Sequence, residues 1–182
     1  MQYPNIKSQL LGLCLVASAV PALAQSSSVT KAGDILAVGV PLWAYGMTFS
    51  KDDEEGRSEF YKSFATTVLI TQGLKNGVNE KRPNGGSNSF PSGHTSGAVQ
   101  GAAFIHARYG FEAALPAYAA SAFVGYSRVD GKYHYTHDVI AGAAIGYAAS
   151  MYFTKQQFTE KNAVIVPFIE PKQIGVLYAR AL

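Results

Sequence analysis

Cysteine is all but missing from the 182-residue sequence, and its one copy, Cys14, lies in an apolar N-terminal run. A disulfide framework and a cysteine-based metal site are thereby excluded. Charge is sparse as well: 15% of the residues are charged against 48% hydrophobic, and the formal net charge is only +3. So small an excess does not make a nucleic-acid surface. Long hydrophobic runs are lacking too. The longest apolar stretches beyond the N-terminal one, 35–49 and 139–153, fall short of the roughly 20 residues a spanning helix needs. They favour the buried helices of a soluble or peripheral domain over a multi-span membrane protein, and the apolar content suffices for a sizeable single core. No internal repeat or low-complexity segment divides the chain.

The first 24 residues read as a secretory signal. Lys7 supplies the positive end, residues 10–20 the apolar centre, and Ala22-Leu23-Ala24 a small-residue cleavage site before Gln25 and three serines. Leu13 stands where a lipidated Cys14 would need a small residue, so that cysteine belongs to the leader. The expected organisation is residues 1–24 as signal peptide and 25–182 as one domain, delivered to a bacterial periplasm, with membrane association open.

The rest of the chain predicts an all-α fold, a compact bundle of about five helices. The segment 33–49 is an apolar helix in which Pro41 should kink or break the chain. A second helix runs from Ser58-Glu59 to about Lys75, where Asn76-Gly77 is a stop signal. Residues 84–89, Asn-Gly-Gly-Ser-Asn-Ser, form a short flexible loop. A helix of small residues then opens at Pro91-Ser92-Gly93-His94 and runs to about Ala107. Residues 112–126 make a fourth helix, and a fifth beginning near His134 and reaching Phe153 would set His134 and Asp138 on one face. The tail, from Ala163 on, alternates in a way that predicts two short strands joined around Glu170-Pro171-Lys172, a C-terminal β-hairpin.

Within this apolar background three polar clusters stand out: Lys75 with Arg82-Pro83, Pro91-Ser92-Gly93-His94, and Ser127-Arg128 with His134 and Asp138. Taken one at a time, each has a plain explanation. Lys75 is a solvated helix end, Arg128 a surface ion pair, and His134 with Asp138 a helical hydrogen bond. Taken together they hold what phosphoryl transfer requires: three cations for phosphate oxygens, two histidines and one carboxylate. The arginines offer planar forks, the lysine a compact charge, and Ser92, Gly93 and Ser127 hydroxyl and backbone donors.

The spacing Lys-x6-Arg-Pro, Pro-Ser-Gly-His, Ser-Arg-x5-His-x3-Asp resembles the type 2 phosphatidic acid phosphatase superfamily, which also includes bacterial acid phosphatases and vanadium haloperoxidases. The resemblance runs from about Arg57 to Tyr152. It implies that His134 attacks phosphorus to form a phosphohistidine, that Asp138 orients its ring, and that His94 protonates the leaving oxygen and then activates water. Lys75, Arg82, Ser92, Gly93 and Arg128 would bind the phosphate. His137 stands where relatives usually carry a small or hydroxyl residue; it is read as structural or as lining the entrance.

The expected activity is therefore metal-independent hydrolysis of phosphate monoesters or lipid (pyro)phosphates, with no cofactor and no metal, because the motifs contain a single carboxylate and both histidines have other work. The resemblance leaves the substrate open between small and lipid, and membrane-surface contact and homo-oligomerisation stay open with it. Two alternatives remain. A vanadium-dependent haloperoxidase would use the same pocket, and a non-catalytic anion-binding envelope protein would need the cations without a nucleophile and its carboxylate.

Overall fold

The computed structural model describes residues 26–157 and the backbone of 164–170 and 173–179. The signal-peptide expectation, residues 1–24, lies outside the described residues. Five helices occur among those described: α1 Ser26–Ser50, α2 Glu54–Val78, α3 Gly93–Tyr109, α4 Phe111–Asp130 and α5 Thr136–Phe153. The fold is an all-α bundle. Beyond it, β1 Val164–Glu170 and β2 Gln173–Ala179 pair antiparallel, from Val164 opposite Ala179 to Glu170 opposite Gln173.

The central helix is α3, which packs against all four others. Its composition explains this. Ala98, Ala102, Ala103, Phe104 and Ile105 are fully buried, so apolar surface is removed from water around most of its circumference. Gln100, in the same helix, is also fully buried. Its side-chain amide donates to Ser63 of α2 at 3.0 Å, and its backbone carbonyl accepts the Ser150 hydroxyl of α5 at 2.8 Å. Two glycines of α5 permit close approach. A Cβ at Gly142 would come within 2.5 Å of the Ser92 carbonyl oxygen, and one at Gly146 would collide with the Ser96 carbonyl oxygen.

Several boundaries differ from the sequence expectation, each for a local reason. α1 passes through Pro41 without a break, and the proline's backbone lies against Gly101 of α3, where a missing Cβ leaves room. α2 starts four residues early because Asp53 caps it, accepting from the Gly56 amide at 2.9 Å, with Glu54 and Glu55 in the first turn. It ends at Asn79, which adopts the left-handed conformation with φ of 46°. α4 continues to Asp130, so Ser127 and Arg128 belong to its last turn.

A buried ion cluster holds one end of the bundle. Arg108, the penultimate residue of α3, donates to both carboxylate oxygens of Asp53 at 2.8 and 2.6 Å, to Glu59 at 3.2 Å and to the Lys155 carbonyl at 2.9 Å. The Tyr109 hydroxyl donates to Asp53 at 2.9 Å. This arrangement joins the start of α2 to the ends of α3 and α5.

Candidate active site

The opposite end of α3 holds the three clusters. Lys75 comes from the last turn of α2, Arg82 from the loop that follows, Gly93 and His94 from the first turn of α3, Arg128 from the last turn of α4, and His134 from the loop before α5. All six line one cavity of about 700 Å³. The loop 79–92 is more ordered than its glycines suggested. Arg82 N–H donates to the Gly86 carbonyl at 2.7 Å, Ser89 N–H to Glu80 at 2.8 Å, and the Asn84 side chain accepts from Gly86 N–H at 3.1 Å. Asn84 N–H also reaches the Lys132 carbonyl at 3.1 Å, which ties the first cluster to the third.

His134 and Asp138 meet, but not on a helical face. The helix begins at Thr136, after His134, and Asp138 is its third residue. There its Oδ2 accepts the Tyr135 amide at 2.9 Å, the Ser89 hydroxyl at 2.5 Å and His134 Nδ1 at 3.3 Å. A carboxylate only accepts, so Nδ1 carries the proton and Nε2 keeps its lone pair. Asp138 is fully buried and His134 nearly so. Burial, reinforced by the charges of Lys75 and Arg82 and opposed by Asp138, lowers the His134 pKa to about 4. The ring is thus neutral over the whole mildly acidic range.

His94, half exposed, is 3.3 Å from Asp34 of α1 through Nε2. Its pKa is lowered by burial and by Arg128, while Asp34 works the other way. Asp34 also accepts Arg128 Nη1 at 2.6 Å, and Arg128 is completed by the Thr30 carbonyl at 2.8 Å and by the ring of Tyr133, which lies beneath its guanidinium. Lys75 Nζ donates to the Asn88 carbonyl at 2.9 Å and Arg82 Nε to the Ser87 carbonyl at 3.0 Å. Burial and Arg82 lower the Lys75 pKa.

Two expected donors are turned elsewhere. The Ser92 hydroxyl is fully buried as the N-cap of α3, 3.0 Å from the Thr95 hydroxyl, and its amide is taken by the Asp138 carbonyl at 3.0 Å. Ser127 donates to Val124 at 2.7 Å, the usual fate of a serine inside a helix. Neither lines the cavity. The amides left at the head of α3 are those of Gly93 and His94, pointing out of a helix N-terminus. Asp34 and Ser89 are site residues that sequence reasoning did not single out. An aspartate in an apolar run is the signal that could have revealed Asp34; a serine in a polar loop gives none.

From the cation cluster the cavity continues between α1 and α2 as an apolar groove formed by Val38, Leu42, Phe60, Phe64 and Val68, with Tyr45 and Tyr61 hydrogen-bonded through their hydroxyls. The groove lies open. Val38 and Leu42 remain 59% and 62% exposed, large values for aliphatic side chains that line a cavity.

Comparison with known proteins finds relatives of one kind. Residues 84–162 match the model of the PAP2 superfamily, a span that holds the second and third clusters. Over that span, 79 of the 182 residues, the chain is similar to the superfamily. A lipid A 1-phosphatase of Porphyromonas gingivalis is 39% identical over 104 residues, covering 50% of this chain and 23% of that protein. A lipid A 4'-phosphatase of Helicobacter pylori is 27% identical over 149 residues, 75% of this chain and 74% of that one. The crystal structure of LpxE from Aquifex aeolicus superposes with a TM-score of 0.53 at 19% identity, over 65% of this chain and 83% of that chain, and shares the fold. This chain therefore matches only about a quarter of the first relative's length.

Proposed function

We propose that this chain is a member of the PAP2 superfamily and a metal-independent lipid phosphate phosphatase that works through a phosphohistidine on His134. One observation carries the choice of a lipid substrate: the cage of cations and histidines opens directly into an apolar, solvent-exposed groove between α1 and α2. A phosphate group fits the first and an acyl chain the second. A small phosphomonoester leaves the groove unused. The names of the two sequence relatives, both phosphatases of a lipid, support the same reading.

In the reaction, Lys75, Arg82 and Arg128 neutralise the phosphate oxygens and the Gly93 and His94 amides add uncharged donors. His134 Nε2 forms a bond to phosphorus as the phosphorus–oxygen bond to the lipid breaks. The departing oxygen takes its proton from His94. The imidazole becomes cationic as it is phosphorylated, and Asp138, through Nδ1–H, stabilises that charge and fixes the ring. His94, now neutral, then removes a proton from water as its oxygen attacks phosphorus. The N–P bond breaks, inorganic phosphate leaves, and the protein returns to its starting state.

The environment follows from the same surface. Among the described residues no helix is long and apolar enough to cross a membrane. Ile35 of α1 and Leu69 of α2 are nevertheless 71% and 72% exposed. Together with the open groove they suit contact with a lipid surface, and a secretory leader in residues 1–24 would deliver the domain to the periplasm.

The test is phosphate release by the purified chain from a lipid phosphate in mixed micelles and from p-nitrophenyl phosphate, with His134→Ala alongside. We expect the lipid to be preferred, the variant to be inactive, chelator to leave hydrolysis intact and vanadate to inhibit. Equal activity of His134→Ala would overturn the mechanism. Preference for the small ester would overturn the substrate class, and bromide oxidation by peroxide after vanadate loading would point to a haloperoxidase.

A further inference from the structure

Behind Asp138 lies a second group of ligand-type side chains that takes no part in the chemistry above. Glu80, in the loop after α2, and His137, beside Asp138 at the start of α5, do not line the cavity. Their ligand atoms and an Asp138 oxygen all lie within 4.8 Å of one another. His137 Nε2 is 3.1 and 3.2 Å from the two Glu80 oxygens and 3.2 Å from Asp138 Oδ1. The His137 ring is held in this direction by stacking on Tyr135, 5.3 Å between centroids with 9° between planes.

The Asp138 carboxylate supplies an independent indication. Its Oδ2 takes all three donors described above, whereas Oδ1 is buried without any hydrogen-bond partner, its approach to His137 lacking hydrogen-bond geometry. An unmet anionic oxygen is costly in a buried position, and it faces a group of metal-binding type. A tetrahedral zinc ion with bonds of about 2.0–2.2 Å holds neighbouring ligand atoms roughly 3.3–3.6 Å apart. The contacts already observed are within a few tenths of an ångström of that spacing. One imidazole with two carboxylates is a donor set suited to zinc rather than to magnesium or calcium.

We propose that Glu80, His137 and Asp138 form a divalent metal site, best matched to zinc, whose occupation inhibits the enzyme. The ion neutralises Asp138 from behind, so the carboxylate no longer offsets the charge that builds on His134 during phosphorylation. The phosphate-binding cations are untouched, so the effect falls on kcat and leaves KM in place. The inhibitory half of this proposal rests on the phosphatase reading; the site itself does not.

Two measurements separate the halves. Calorimetric titration of the tag-free, metal-stripped chain with zinc at neutral pH is expected to show one site, weakened about tenfold or more in Glu80→Gln and in His137→Gln and unchanged in His106→Gln. Phosphate release in metal-free buffer should be the same in all four proteins, with added zinc lowering kcat only where the site is intact. Absence of a zinc site in the unsubstituted chain, or equal affinity in the Glu80 and His137 variants, overturns the site. A site that is lost in those variants while zinc leaves kcat alone overturns the inhibition. If no substrate is hydrolysed at all, the inhibitory half falls with the phosphatase reading and the titration still decides the site.

Discussion

Arg128 and Asp34, 94 residues apart in sequence, form an ion pair of 2.6 Å that joins the last turn of α4 to α1 at the wall of the cavity. The same Asp34 oxygen is 3.3 Å from His94 Nε2, so one carboxylate serves both the proposed phosphate-binding arginine and the proposed general acid. Asp34 raises the proton affinity of His94, against burial and Arg128, which lower it.

Replacing Asp34 by Asn keeps the shape and removes that support. The His94 pKa then falls further, a smaller fraction of the ring carries the proton at any given pH, and the basic limb of the kcat profile moves to lower pH. Comparison of pH profiles for the two proteins checks this; an unmoved or upward-shifted limb contradicts the role given to Asp34.

In the proposed mechanism the acid limb belongs to His134. Its ring is neutral above a pKa of about 4, so kcat/KM should hold through mildly acidic pH and fall below that value. Lys75 is among the charges that depress this pKa, second only to burial. In Lys75→Met the depression weakens, protonation of His134 begins at higher pH, and the acid limb moves up, alongside a rise in KM from the lost phosphate contact. Circular dichroism at each pH separates this from acid unfolding.

Much of this architecture could be read from the sequence because the helices are apolar stretches ended by Asn, Gly or a charged connection, and because the three clusters keep their spacing. What escaped reading depended on the third dimension. Asp34 gains its meaning only from Arg128, which arrives from another helix. His134 meets Asp138 through the capping of α5 rather than through helical periodicity, and the hydroxyls of Ser92 and Ser127 were claimed by their own helices. Glu80 became notable only once loop 79–92 had folded back toward α5.

The Ser89 hydroxyl donates to Asp138 at 2.5 Å, while the contacts of Ser89 with Lys75 and Glu80 are made by its backbone. Ser89→Ala removes a hydrogen bond to a buried charge, worth about 1.5–3 kcal/mol. The carboxylate then orients His134 less firmly. We expect kcat to fall by roughly tenfold or more with little change in KM, measured by steady-state phosphate release; a change confined to KM would place Ser89 in substrate binding instead.

Far from the cavity, Arg108 is, among the described residues, the cation that pairs with Asp53 and Glu59 where they are buried. Burial raises the Glu59 pKa, while the Asp53 carboxylate, despite burial, is held below its ordinary range by Arg108, Gly56 and Tyr109. Arg108→Ala leaves two buried acids without their cation and should cost about 3–5 kcal/mol, seen as an early midpoint in urea unfolding. Asp53, with its depressed pKa, contributes stability above the unfolded-state value that is lost as pH falls through the folded one. That contribution depends on Arg108, so the stability gap between the two proteins should narrow on acidification.

Close packing of α3 on α5 gives the sharpest mechanical test. A methyl group at Gly146 would strike the backbone oxygen of Ser96 and approach the Gln100 amide nitrogen to 2.8 Å, and neither backbone atom can swing aside as a side chain would. The helices must separate, and α3 carries Gly93 and His94 at its head while α5 carries Asp138. Overpacking of this kind costs about 1–3 kcal/mol, so Gly146→Ala should lower the unfolding midpoint. It should also lower kcat, because the distance between His94 and His134 depends on the spacing of these two helices. Gly39 of α1 provides the control: a Cβ there meets nothing within 4 Å, and Gly39→Ala should leave kcat unchanged with stability equal or slightly higher, as a helical glycine gives way to alanine.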